Sequence, residues 1–297
     1  MKKILLIIPI LLLLTGCNSY IELNNLGIIN KIGIEHQNNY KLYASIIDYI
    51  DKENTIPKEI IVIVEGNTIE ELITNLSISF NKKIYMSHLD LLIINDSIKN
   101  HELKELINYF INNNETREDF LIVTTNDIKS LIANSSFQEI NNLININKNE
   151  TSISIYTTMY DLTNKYLLNE PIYLSNIKYD NNISLDGITK IYNNKITYIN
   201  NQDSIFINYL LNNIETYKET LICNYNKYLY LDILSSNTNI INNKIYISNE
   251  IKVINNNCNL SKDNINKLFN NNLLSNLKKY TDKKIIINNT IRSFNNE

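Results

Sequence analysis

Between Glu59 and Thr124 the chain alternates short apolar runs with amphipathic stretches, and that alternation limits the folds open to it. Glu59 to Val64 reads as a strand closed by Glu65-Gly66-Asn67. Thr68-Ile69-Glu70-Glu71 has the form of a capping box, with Thr68 as N-cap and Glu71 at the third helical position. Ile69, Leu72, Ile73, Leu76 and Phe80 then share one helical face. Leu89 to Ile94 is a continuous apolar run, the pattern of a buried strand. Leu103, Leu106, Ile107 and Phe110 mark a second helix, Phe120 to Thr124 a strand, and Ile128 to Ala133 a short helix. Strand–helix–strand–helix–strand in this order calls for crossover connections and some parallel pairing.

The flanks add antiparallel units. Gly27 to His36 and Tyr40 to Asp48 form a hairpin about Gln37-Asn38-Asn39. Helical segments continue to about Leu168, where Glu170-Pro171 breaks the pattern. Asp180-Asn181-Asn182 is a polar joint and is read as a domain boundary. Beyond it, Ile183 to Tyr192 and Lys195 to Ile199 make a hairpin around Asn193-Asn194, followed by a short helix over Ile205 to Leu211. Strands follow near 219–223, 228–234 and 244–254. Ser261 caps a long helix carrying Ile265, Leu268, Phe269, Leu273 and Leu277, with Lys278 and Lys279 in its last turn, where the dipole favours positive charge. Lys284 to Ile291 is a last strand. The expected class is multi-domain α+β. Mixed sheets carry packed helices, and the C-terminal domain has a largely antiparallel sheet and one long helix. Residues 17–180 form an N-terminal region of two subdomains and 181–297 the C-terminal domain.

The first seventeen residues say where this fold works. Met1-Lys2-Lys3 is a basic start, Ile4 to Leu14 an apolar run interrupted by Pro9, and Leu14-Thr15-Gly16-Cys17 ends it. This is the layout of a bacterial lipoprotein signal over residues 1–16, with Cys17 as the lipidated new N-terminus. The run is too short to span a bilayer: about 17 Å of helix against a hydrocarbon core of about 30 Å. The expected mature protein lies outside the cytoplasm, held to a membrane by its N-terminal lipid. Without the signal, 26 basic and 31 acidic side chains leave a net charge of −5. That balance argues against nucleic acid and against a polybasic grip on anionic lipid, so acyl chains must supply the membrane affinity.

Catalytic motifs are missing. The sequence has no Gly-x-Gly-x-x-Gly, Walker loop, Gly-x-Ser-x-Gly or His-Glu-x-x-His. Of three histidines, His36 ends a strand, His101 lies in an exposed helical start, and His88 precedes a buried strand and invites a structural role. Glu115, Glu118 and Asp119 beside Arg117 fit a solvated loop. Cys223 and Cys258 have no zinc spacing. Outside the cytoplasm they could bridge, but two free, partly buried thiols are the simpler expectation. No catalytic residue, metal site or cofactor is expected.

The chain resembles the Ger(x)C lipoproteins, the C subunits of spore germinant receptors. The likeness starts at Leu14-Thr15-Gly16-Cys17 and runs through Glu22-Leu23-Asn24-Asn25-Leu26-Gly27-Ile28-Ile29 and Ile32-Gly33-Ile34-Glu35. It continues in Thr68 to Ser77, Lys82 to Ile94, Glu105 to Phe110 and Glu115 to Val123, and more loosely from Ile183 to Ile251. The order and spacing of these blocks carry the resemblance, since only the lipobox is specific alone. Family members continue further past the long helix with a Trp- and Gly-containing segment. Here there is no Trp, so the C-terminal domain looks shortened. The resemblance implies a non-enzymatic subunit of a nutrient sensor in the inner membrane of the dormant spore, needed for germination and partnered by two integral membrane subunits. It also implies three α+β domains. Two other classes remain open: a solute-binding lipoprotein of a transporter, and a cell-envelope hydrolase.

Overall fold

The computed structural model describes residues 25–48, 58–113, 115–224 and 226–292. Strands β1 (Leu26–His36), β2 (Tyr40–Asp48) and β3 (Lys58–Gly66) form an antiparallel meander. Helix α1 (Ile69–Ser79) then crosses back, past the short β4 (Lys83–Tyr85), to β5 (Leu91–Asn95), which pairs parallel with β1. Helix α2 (Asn100–Asn112) leads to β6 (Leu121–Thr125), parallel to β5. The crossover pairing expected from the alternation is present.

Helices α3 (Ile128–Asn134), α4 (Phe137–Glu150) and α5 (Met159–Leu167) follow, and then β7 (Ile172–Asp180), β8 (Asn182–Tyr192) and β9 (Lys195–Ile199). The sheet order is β3-β2-β1-β5-β6-β7-β8-β9, with β4 alongside the start of β1. Main-chain pairing therefore runs through the Asp180–Asn182 joint, which is the tight turn between β7 and β8. Helix α6 (Asn201–Leu210) leads to a second sheet of β10 (Tyr217–Asn224), β11 (Lys227–Ile241), β12 (Lys244–Asn256) and β13 (Lys284–Arg292). Its first three strands are antiparallel, β13 is parallel to β12, and α7 (Lys262–Leu277) makes that last crossover.

Alternation on β5 sorts the first sheet into two cores. Leu92 and Ile94 pack with Leu72 and Leu76 of α1, Leu106 and Phe110 of α2, and Leu162 of α5. Leu91 and Ile93 face the other way, onto Leu131 of α3 and Ile140 and Ile144 of α4. Gly33 on β1 lets α3 approach closely, since a Cβ there would meet the Ile128 side chain. Lys31, also on β1 and only 2 % exposed, holds the far end of that helix. Its Nζ donates to the carbonyls of Ser135 at 2.6 Å and Ile132 at 3.2 Å, and lies 2.8 Å from Glu59 Oε1. A cation at a helix C-terminus complements the dipole and fills orphan carbonyls. In the second sheet, Leu229, Leu231, Ile233, Ile245, Ile247 and Ile251 pack against Ile265, Phe269, Leu273 and Leu277 of α7.

Asparagine does much of the work that glycine does elsewhere. Of ten non-glycine residues with positive φ among the described residues, nine are Asn. Asn193-Asn194 and Asn242-Asn243 each place two left-handed residues at a hairpin tip, as a type I′ turn needs. Asn tolerates this region because its short side chain bonds locally. Asn289 links α7 to the sheet, donating to Asn266 and Asn270 and accepting from Asn249. Gly187 is the exception. It sits in a β7–β8 bulge at φ 117°, where a Cβ would strike the Ile199 carbonyl.

Three expectations are corrected. Cys223 and Cys258 are joined as a disulfide, with Cα atoms 6.3 Å apart, so they are not free thiols. The segment after Pro171, given no element from the sequence, is β7. Thr68 accepts from Glu71 N at 3.1 Å, but the Glu71 carboxylate reaches the Asn67 N–H at 2.7 Å and not that of Thr68, so only half of the box forms.

Urea titration should separate these contributions. Leu76→Ala should cost about 2–5 kcal/mol as a core truncation, and Thr68→Ala about 1 kcal/mol as a lost cap. Gly187→Ala should cost at least about 1–3 kcal/mol, because it combines strain with a backbone clash. Equal small losses at all three positions would contradict the packing described.

Candidate functional site

Of the residues singled out in the sequence, His88, Arg117 and Asp119 lie about the Asp90 carboxyl, which burial pushes up. Cys17 lies outside the described residues. His88 is exposed, its ring 5.8 Å from that of Tyr85. Arg117 Nε donates to Asp119 Oδ1 at 3.1 Å on an exposed loop. Among the described residues, no group of three or more His, Cys, Asp or Glu is placed to hold a metal ion, and no helix is long and apolar enough to cross a membrane.

One polar cluster was not legible beforehand. The fully buried Glu102, at the start of α2, accepts from the Lys99 N–H at 2.7 Å and lies 2.6 Å from His36 Nδ1. The His36 ring packs 4.4 Å from Tyr40, whose hydroxyl donates to Glu105 Oε2 at 2.6 Å. Burial and the Glu105 carboxylate push the Tyr40 phenol well above its usual range. The cluster fastens the β1–β2 hairpin tip to α2. Its only sequence signal is Glu102 at the third position of a helix.

A cleft of about 1030 Å³ opens where α6, α7, β10, β11 and the end of α4 meet. Glu219 stands on its wall. The residues of β10 that face α7 are Tyr217, Glu219, Leu221 and Cys223, so Glu219 breaks an otherwise non-ionic row. Burial pushes its carboxyl up to about 7, and the Asn272 amide, donating at 3.2 Å, opposes this only in part. Tyr209 and Tyr217, both buried, share a hydroxyl contact of 3.0 Å beneath it. Across the cleft Lys279 lies 3.6 Å from Asp203. Interruption of the apolar alternation by Glu219 was the signal available in the sequence.

Among the exposed apolar side chains, two groups lie on sheet faces. Ile61 and Ile63 project from β3, an edge strand, and Ile222, Tyr228, Tyr230 and Ile254 share one end of the outer face of the second sheet.

The raised Glu219 carboxyl makes stability depend on pH. The folded state holds this proton more tightly than the unfolded chain, so its contribution is complete below about pH 4.5 and is lost as pH rises through about 7. Glu219→Gln should therefore raise the thermal midpoint more at about pH 8 than at about pH 5. A gain independent of pH would contradict the burial of this charge.

Comparison with known proteins places this architecture. Residues 1–18 match a prokaryotic membrane lipoprotein lipid attachment site. Spore germination protein KC of Bacillus subtilis (strain 168) is 31% identical over 114 residues, 34% of this chain and 28% of that protein. The match thus spans little more than a quarter of that relative. The crystal structure of the GerBC protein shares the fold, with a TM-score of 0.53 at 15% identity, covering 89% of this chain and 97% of that one. Residues 19–179, more than half of the chain, match the spore germination protein N-terminal domain. The chain belongs to this family of spore germination proteins, the Ger(x)C proteins.

Proposed function

We propose that this protein is the lipid-anchored, non-enzymatic subunit of a nutrient germinant receptor and is needed for spore germination. The observation that carries the reading is adjacency: the germination domain at 19–179 follows directly on a lipid attachment site at 1–18. Cys17 carries the lipid, and the protein sits on the extracytoplasmic face of the spore inner membrane. From Cys17 to Leu26, where β1 begins, nine residues reach at most about 30 Å. The folded part is thereby held beside the bilayer at high local concentration, and weak contacts with two integral membrane subunits suffice for assembly. The match ending at residue 179 supports treating 17–180 as the N-terminal region and 181–297 as the C-terminal one, with β8 and β9 contributed to the first sheet. His88 and Arg117 are both exposed, and the His36–Glu102 pair fastens a hairpin tip to α2; these placements support action by assembly over chemistry.

Cys17→Ala tests the anchor. The variant should lose incorporation of labelled fatty acid and should no longer partition with membranes or co-purify with the two membrane subunits. If it keeps its acyl label, the anchor lies elsewhere.

A further inference from the structure

The cleft around Glu219 has the chemistry of a binding site, and the receptor reading makes no use of it. Its wall carries four carboxyls, on Glu150, Asp203, Glu219 and Asp232, against two ammonium groups, on Lys218 and Lys279. Lys279 is already engaged with Asp203. Among the described residues, Glu219 has one hydrogen-bond partner, the Asn272 amide, and no ion-pair partner. A carboxylate in an apolar row is costly unless a proton or a cation joins it. Uncharged polar residues also line the cleft, among them Asn201 and Asn276. Asn201, on the same wall, donates Nδ2 to the Leu185 carbonyl at 2.9 Å and leaves a buried Oδ1 without a protein partner. Ile205 and Phe206 supply an apolar stretch of wall. The volume suits a small organic molecule, and the absence of clustered ligands among the described residues disfavours a metal ion.

We infer that the cleft binds a small organic cation, an alkylammonium compound whose charged head meets Glu219 and whose chain lies along Ile205 and Phe206. The ammonium replaces the proton on Glu219, so binding near neutral pH releases that proton to solvent and leaves a carboxylate–ammonium pair. The titratable and charged groups around Glu219 are Tyr217 and Lys218 on β10, Asp232 on β11, Asp203 and Tyr209 on α6, Lys279 after α7 and Glu150 at the end of α4. The cleft lies between the second sheet and the α4–α6 side of the first, so an occupant would brace the two against each other.

Isothermal titration of the full lipidated chain in a neutral detergent tests this, with butane-1,4-diammonium as probe and butane-1,4-diol as the neutral control. The diammonium should bind at about pH 8 and the diol should not. Affinity should fall about thirtyfold between pH 8 and pH 5.5, as a proton with pKa about 7 competes for the same carboxyl. Glu219→Gln should weaken binding at least about tenfold while the protein stays folded, since that change removes a buried charge. Glu71→Gln, on the exposed start of α1, should bind as the parent does. Near neutral pH the measured heat should change with the ionisation enthalpy of the buffer. Absence of binding at about 10 mM probe, equal binding of the diol, or undiminished binding by Glu219→Gln would each overturn the assignment. None of these results bears on the receptor role, which the acylation and germination measurements decide.

Discussion

Strand β5 must be buried on both faces, and most of the architecture follows from that. Leu91 to Ile94 has no polar side to turn outward, and all four residues are fully buried. Parallel strands with two apolar faces need helices above and below. The chain supplies α1, α2 and α5 on one side and α3 and α4 on the other. Each buried aliphatic side chain contributes about 1.5–3 kcal/mol, so the two cores outweigh any single polar contact. Lys31 shows how the arrangement is then locked. Its charge is desolvated, yet it satisfies two carbonyls at the end of α3 and pairs with Glu59, which lets α3 end against the sheet.

The asparagine-rich composition is reconciled with a unique fold at the turns. A chain with five glycines still needs left-handed residues, and Asn fills nine such positions among the described residues. It also forms short side-chain ladders, as between Asn249, Asn289 and α7. The polar clusters between apolar runs are therefore structural punctuation. Gly187 remains glycine because the Ile199 carbonyl leaves no room for a Cβ.

Local signals were legible and long-range ones were not. The helix from Thr68, the hairpins about Asn38 and Asn193, and the helix capped by Ser261 all follow from periodicity and turn chemistry, which act within a few residues. Strand β7 was missed because its parallel link to β6 is a single pair, Thr124 with Asn176. The strand is held instead by its antiparallel pairing with β8 and by contacts such as Ser175 with Ile155 and Thr157 with the Tyr173 carbonyl. The bond between Cys223 and Cys258 depends on the end of β10 meeting the loop after β12, which spacing alone does not reveal. In the candidate sites, Glu219 could have been noticed as a break in alternation. The meeting of His36 with Glu102 depends on where a hairpin tip lands on a helix, and no local pattern encodes that.

The fold joins two sheets, with exposed apolar side chains on β3 and on the second sheet. On the proposed reading the protein transmits a nutrient signal through assembly. The most direct measurement compares germination of spores lacking the gene with parent spores, under nutrient and under exogenous dipicolinate, which acts downstream of the receptors. The account predicts slowed nutrient germination and unchanged dipicolinate germination. An equal defect under both triggers, or no defect under any nutrient, would contradict it.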